Sequence, residues 1–187
     1  MKKLWLLRHA PVMAEPGLCY GATDLEAHTD ATLAAAQRIA PLLPAGIALR
    51  SSPLRRCTAL ADAIAALRPD LAVQHDARIA EMDFGAWEGR PWSAIAREDF
   101  DAWTGNFSEA LAGTRGESVR AFMQRAADAR DEWLAGEGDA LWVTHAGVLR
   151  AVTLLQRGIR CPATAAEWPA GELAFGGWLT FEQPSGE

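Results

Sequence analysis

The chain has 187 residues, 50% hydrophobic and 22% charged, with a formal net charge of −6. That composition excludes a disordered or fibrous chain, and the length suits one globular domain, residues 1–187, able to bury roughly two-thirds of its unfolded surface. The acidic balance argues against a nucleic-acid partner, although a few arginines focused in one pocket still hold a small anion.

No stretch approaches the roughly 18 consecutive apolar residues of a membrane span, and no targeting segment is visible at the start. Cys19, Cys57 and Cys161 are odd in number and far apart, with no CxxC pair. They read as small buried residues of a reducing compartment, so the cytoplasm is the expected location.

Leu4 to Leu7 is an apolar run ending abruptly at Arg8-His9, the pattern of a strand buried on both faces. Residues 11–29, with Pro11, Pro16, Gly17 and Gly21, read as a long loop, a length usually reserved for function. Asp30 is expected to cap a helix over 31–40 stopped by Pro41. Residues 47–51 read as a second strand. Ser52 and Pro53 then form the cap and first position of a helix to about residue 67. Residues 71–75 give a third strand, 79–90 an irregular stretch, and 92–103 a helical patch. The pattern from Glu117 to Leu134 is the longest helix, with Val119, Phe122, Met123, Ala126 and Trp133 on one face. Residues 141–144 form a strand that ends at His145; 147–155 continue as helix, and 173–181 hold a last strand. Strands alternating with helices predict an α/β three-layer sandwich, a mostly parallel sheet flanked by helices.

Two apolar strands thus deliver His9 and His145 at their carboxyl ends, where open parallel sheets bind ligands. His28 and His75 have no such context and read as solvated. Arg8 offers a planar fork of donors beside His9. Arg55 and Arg56 fall in a first helical turn, where the helix dipole disfavours cations, and an anion would compensate them.

At this point the residues resemble a known family. Arg8-His9-Ala10 resembles the Arg-His-Gly signature of the histidine phosphatase superfamily, which includes the cofactor-dependent phosphoglycerate mutases. Ser51 to Cys57 resembles its Ser-Ser-Pro-x-x-Arg segment, with Arg56 at the motif arginine. Glu81 to Gly89 is similar to its Glu-x-x-Phe-Gly-x-Trp-Glu-Gly segment, and Val143 to Arg150 to its second-histidine segment. Cys19 to Asp24 resembles, with tighter spacing, the Tyr-x-Gly-x-Thr-Asp region of α-ribazole phosphatases, which act in assembly of the cobalamin nucleotide loop.

The resemblance implies a phosphomonoesterase that needs no metal and no cofactor and acts on a small-molecule phosphate ester. His9 is the implied nucleophile, with Arg8, Arg56 and His145 holding the phosphoryl oxygens. Glu81 serves as acid for the leaving alcohol and base for the attacking water. Tyr20 and Thr23 are candidates for lining the substrate entrance. Chemistry supports this division, because neutral imidazole is nucleophilic near pH 7. Clustered positive charge offsets the phosphate oxygens, and a poor alkoxide leaving group needs a proton donor. The second nitrogen of His9 is expected to donate to a backbone carbonyl, and Met82, Phe84 and Trp87 to form an apolar wall beside Glu81. Arg55, Glu88 and Arg150 read as structural.

Two residues depart from the family pattern. Ala10 and Ala146 stand where glycine is usual, which predicts ordinary φ at both or a slightly tighter pocket. Pro11-Val12 replaces a polar residue that often follows the first histidine. Competing readings are a phosphatase for sugar phosphates or nucleotides, a phosphoglycerate mutase, and a non-catalytic phospho-ligand module. The substrate and the oligomeric state are not legible.

Overall fold

A computed structural model describes residues 1–171 and 173–183. Five strands form one sheet: β1 (Lys2–Arg8), β2 (Ala48–Ser51), β3 (Val73–His75), β4 (Ala140–Thr144) and β5 (Trp178–Gln183). Their spatial order is β3-β2-β4-β1-β5, parallel throughout except for the antiparallel pairing of β5 with β1.

Among the described residues there are five α-helices: α1 (Thr29–Ile39), α2 (Arg55–Leu67), α3 (Arg97–Gly105), α4 (Val119–Ala135) and α5 (Ala146–Gln156). Alternation along the strands divides the interior in two. Leu4, Leu6, Ala140 and Trp142 face the side covered by α4 and α5, where Val119, Phe122, Met123, Ala126, Val148 and Val152 complete one core. Leu7, Leu49, Leu141 and Val143 face α1 and α2, with Ala35, Ile39, Leu60 and Ile64 completing the other. This is the three-layer α/β sandwich expected.

Several element starts differ from the expectation. His28, not Asp30, is the cap residue of α1, and Asp30 lies in its first turn, where a carboxylate suits the positive helix end. Helix α2 starts at Arg55 rather than Pro53, with Leu54 extended at φ −71° and ψ 137°. The reason is that Ser52 still belongs to the sheet end: its N–H donates to Val143 O at 3.0 Å. The stretch 92–103 splits into a short turn of 3-10 helix, Trp92–Ala94, and α3. The last strand begins at Trp178, leaving Leu173 in the preceding loop.

The central position of β1 and β4 places the site. Their register pairs Arg8 with Thr144, so His9 and His145 leave the sheet side by side. His9 N–H donates to Thr144 O at 3.0 Å, and Gly176 N–H is shared between the carbonyls of Arg8 and His9 at 3.1 and 3.0 Å. The backbone that carries His9 is therefore gripped by β4 on one side and by the turn just before β5 on the other.

Candidate active site

His9 is 2% exposed. Its Nδ1 lies 2.7 Å from Ala10 O, and a carbonyl can only accept, so Nδ1 carries the proton and Nε2 keeps its lone pair. Burial, chiefly, and then the Arg56 charge lower its pKa to about 3, with Arg8 adding to the effect. The imidazole is neutral near pH 7. His145 is fully buried and is held neutral for the same two leading reasons, burial and then Arg56. The two rings stand edge to face with centroids 5.2 Å apart.

Arg56 is fully buried, whereas Arg55 is 58% exposed at its side chain and pairs with Glu26. The Arg56 guanidinium donates from Nε to His145 Nδ1 at 3.3 Å, from Nη1 to Thr23 O at 2.8 Å and from Nη2 to Gly21 O at 2.6 Å. Since His145 Nδ1 accepts, its Nε2–H donates, to Ser52 Oγ at 2.8 Å. Arg8 donates to Leu173 O at 2.6 Å and lies 3.7 Å from the Phe175 ring centroid. Phe175 also faces His9, at 5.5 Å between centroids. The cysteines are free; Cys57 is buried with its sulfur 3.4 Å from His145 Nε2, and burial pushes its thiol pKa up.

The loop that holds Arg56 is itself held by Glu88. This carboxylate accepts from the backbone N–H groups of Gly21, Ala22, Thr23 and Phe84 at 2.9–3.1 Å, and from the Thr23 hydroxyl. Its pKa is lowered overall: desolvation opposes, and the hydrogen bonds led by Thr23 outweigh it. Glycine is required at 21, because a Cβ there would sit 1.7 Å from Met82 O. Tyr20 lies near both His9 and Arg56, with centroid distances of 6.5 and 5.3 Å.

Glu81 lies beside the start of α5. Its Oε2 accepts from Gly147 N–H at 3.1 Å, at the start of α5. The segment is braced by Arg125, which donates to the carbonyls of Arg78, Ala80 and Glu81 and pairs bidentately with Glu117 at 2.7 and 2.9 Å. Met82 and Phe84 line a cavity with Glu81, while Trp87 is buried in the aromatic cluster behind it and does not line that cavity. Ala10 and Ala146 have no positive φ; Thr114 is the one non-glycine residue that does among those described. His28 and His75 are exposed.

The structure thus joins Arg56 to His145, sets His145 and Tyr20 beside the His9 ring, and places Glu81 against Gly147, two residues after His145. The Thr23 hydroxyl is committed to Glu88, and Thr23 touches Arg56 through its carbonyl. Sequence reasoning did not single out the Ser52–His145 bond, Gly147 beside Glu81, the Arg125 brace or Phe175. Ser52 and Gly147 lie inside recognisable segments, whereas Phe175 and Arg125 carry no local signal. Among the described residues no group of three or more His, Cys, Asp or Glu side chains is placed to hold a metal ion. No described helix is long and apolar enough to cross a membrane.

An α/β sheet that presents two neutral imidazoles and buried guanidinium charge at its carboxyl edge defines a phosphate-handling enzyme. The family model for histidine phosphatase superfamily (branch 1) matches residues 4–167, so the chain belongs to that superfamily and is a histidine-type phosphatase. Solved structures share the fold. A mycobacterial glucosyl-3-phosphoglycerate phosphatase is 25% identical with a TM-score of 0.79, over 96% of this chain and 89% of that one. The protein TTHB049 from Thermus thermophilus is 26% identical with a TM-score of 0.72, over 97% and 94%. Mycobacterial hydrolase 1 is 24% identical with a TM-score of 0.82, over 100% and 93%. The mycobacterial phosphatase has also been solved with VO3 and with inorganic phosphate. Among curated proteins none matches the chain.

Proposed function

We propose that the protein is a phosphomonoesterase that works without a metal ion through a phosphohistidine on His9, acting as a single domain on a small-molecule ester. The carrying observation is the His9 ring: Nδ1–H is locked to Ala10 O, and Nε2 is left neutral beside Arg56 and His145. Nε2 attacks phosphorus as the ester P–O bond breaks, and protonated Glu81 gives its proton to the leaving oxygen. Glu81, now a carboxylate, takes a proton from water as the water oxygen attacks phosphorus and the P–N bond breaks. Inorganic phosphate leaves, and both residues return to their starting states.

Arg8 and Arg56 offset the charge on the phosphoryl oxygens, where a loose transition state gains most from fixed electrostatics. His145 gives its Nε2–H, which Ser52 accepts in this structure, to one of those oxygens when the ester enters. Tyr20 stands at the entrance, and Thr23 acts by positioning Arg56.

The finer proposal is hydrolysis of α-ribazole 5′-phosphate, supported by the Cys19–Asp24 stretch with Tyr20 next to His9 and Arg56. The test is steady-state hydrolysis of this ester beside sugar phosphates, nucleotides and phosphoglycerates, with EDTA present, and acid-labile labelling of the enzyme by a radiolabelled ester. Preference for α-ribazole 5′-phosphate, with turnover and label lost in His9→Ala, is expected. Turnover that survives His9→Ala refutes the mechanism. Equal activity on the other esters refutes only the substrate.

A further inference from the structure

Beside Glu81 lies a cavity of about 260 Å3. Six aromatic rings line it: Phe84, Phe100, Trp103, Phe107, Phe122 and Trp168. Five of them form a connected wall, with Phe100 5.8 Å from Trp103, Trp103 edge-on to Phe107 at 5.2 Å, Phe107 edge-on to Trp168 at 5.9 Å, and Phe122 6.3 Å from Trp168. Two lining residues, Glu81 and Gly147, belong to the site described above. A proton donor must come within about 3 Å of the oxygen it protonates. The carbon body attached to the leaving oxygen therefore extends into the space that Glu81 borders, which is this cavity.

The lining suits one chemistry. Apart from Glu81, its side-chain hydrogen-bonding groups are few. The Thr104 hydroxyl already donates to Phe100 O. Arg150 donates to Gly171 O at 3.2 Å and makes no ion pair among the described residues, so donors of its guanidinium remain for a ligand. The Trp103 indole N–H is buried with no partner there either. A sugar or glycerate body with no ring to set against the wall would leave most of its hydroxyls unpaired there, and such unpaired groups are costly. An apolar cavity of about 150 Å3 takes a benzene ring, so this one accommodates a larger, two-ring body.

We infer that this cavity is the leaving-group pocket and that it selects phosphate monoesters of alcohols with a two-ring aromatic body, bearing a hydrogen-bond acceptor that meets Arg150 or Trp103. The inference rests on the phosphohistidine reading, in which Glu81 protonates the leaving oxygen.

The test compares 2-(2-naphthyl)ethyl phosphate with 2-hydroxyethyl phosphate, two primary-alkyl esters of similar leaving ability. Wild type, Thr104→Trp, Ala165→Phe and His9→Ala are assayed with both. Thr104 and Ala165 line the cavity and lie outside the phosphate-holding residues. Wild type should favour the naphthyl ester in kcat/KM by on the order of 100-fold, from burial of the rings. Filling the cavity by either substitution should remove most of that preference while leaving 2-hydroxyethyl phosphate turnover unchanged, which also shows that the variants fold. Equal turnover of both esters by wild type, lost in His9→Ala, overturns the pocket assignment and keeps the phosphohistidine reading. Absence of turnover for any ester overturns both.

Discussion

Gly147→Ala isolates the proposed proton-donating half of the site. A Cβ at 147 would lie 2.1 Å from Glu81 Oε1, 3.0 Å from Glu81 Cδ and 3.2 Å from Phe122 Cζ. Relief to ordinary van der Waals separation requires the carboxylate to move by ~1 Å or more. Gly147 is the second residue of α5 and has no positive φ, so the backbone accepts alanine, and helix propensity favours it by about 0.5–1 kcal/mol. The displacement is therefore local to Glu81. A misplacement of about 1 Å costs roughly 100-fold, within the ~10²–10⁴ that a general acid contributes. The expectation is a ~100-fold fall in kcat for an alkyl phosphate and a change under ~5-fold for p-nitrophenyl phosphate, whose leaving group needs no proton. Steady-state assays of both esters, beside Glu81→Gln, measure it. Equal losses on the two esters, or an undiminished alkyl rate, would refute the placement of Glu81 as the acid.

Other substitutions probe the supporting structure. Glu88→Gln removes the charge that organises residues 21–23 and should weaken inhibition by inorganic phosphate about 10-fold, with ~1–3 kcal/mol of stability lost. Unchanged phosphate inhibition in a destabilised variant would reduce Glu88 to a structural residue only. Lys2, buried, donates to the carbonyls of Trp133, Leu134 and Gly136 at 2.8, 2.7 and 2.6 Å, at the end of α4. Lys2→Met should therefore cost ~1–3 kcal/mol in urea unfolding without changing kcat; an unaltered midpoint would contradict the capping role. His9 titrates at about 3 when folded and near its usual 6.5 when unfolded. Above 6.5 both states are neutral; as pH falls below 6.5 the unfolded chain takes up the proton first, so stability declines toward pH 3. Between pH 6.5 and 4.5 the His9 share of that decline is about 2–3 kcal/mol, and His145 acts in the same direction. His9→Asn should flatten the profile, and matching slopes for variant and wild type would count against a neutral buried His9.

Much of the site was legible because its residues sit in short segments whose local structure is simple. A strand end delivers His9 and another delivers His145, and parallel pairing of β1 with β4 makes them neighbours. Arg56 was separable from Arg55 by motif position, and the structure separates them by burial. The placement of α2 was less accurate: Ser52-Pro53 carries a helix-start pattern, yet the sheet claims Ser52 through Val143 O. Long-range contacts were not legible at all. The two carbonyls that hold Arg56, the three that hold Lys2 and the ring of Phe175 over His9 depend on how distant loops meet, and a backbone carbonyl is the same in every residue.

The two cores separated by the sheet meet at the site, and they supply different parts of it. Helix α2 carries Arg56 on one side, while the aromatic cavity that Glu81 borders is built from the core on the side of α4 and α5. On the proposed mechanism, substitutions on one side change the alcohol accepted while the residues proposed to hold the phosphoryl group stay as they are. A lineage built this way can diversify its substrates by repacking α3 and its aromatic neighbours, without passing through ancestors that have lost the chemistry.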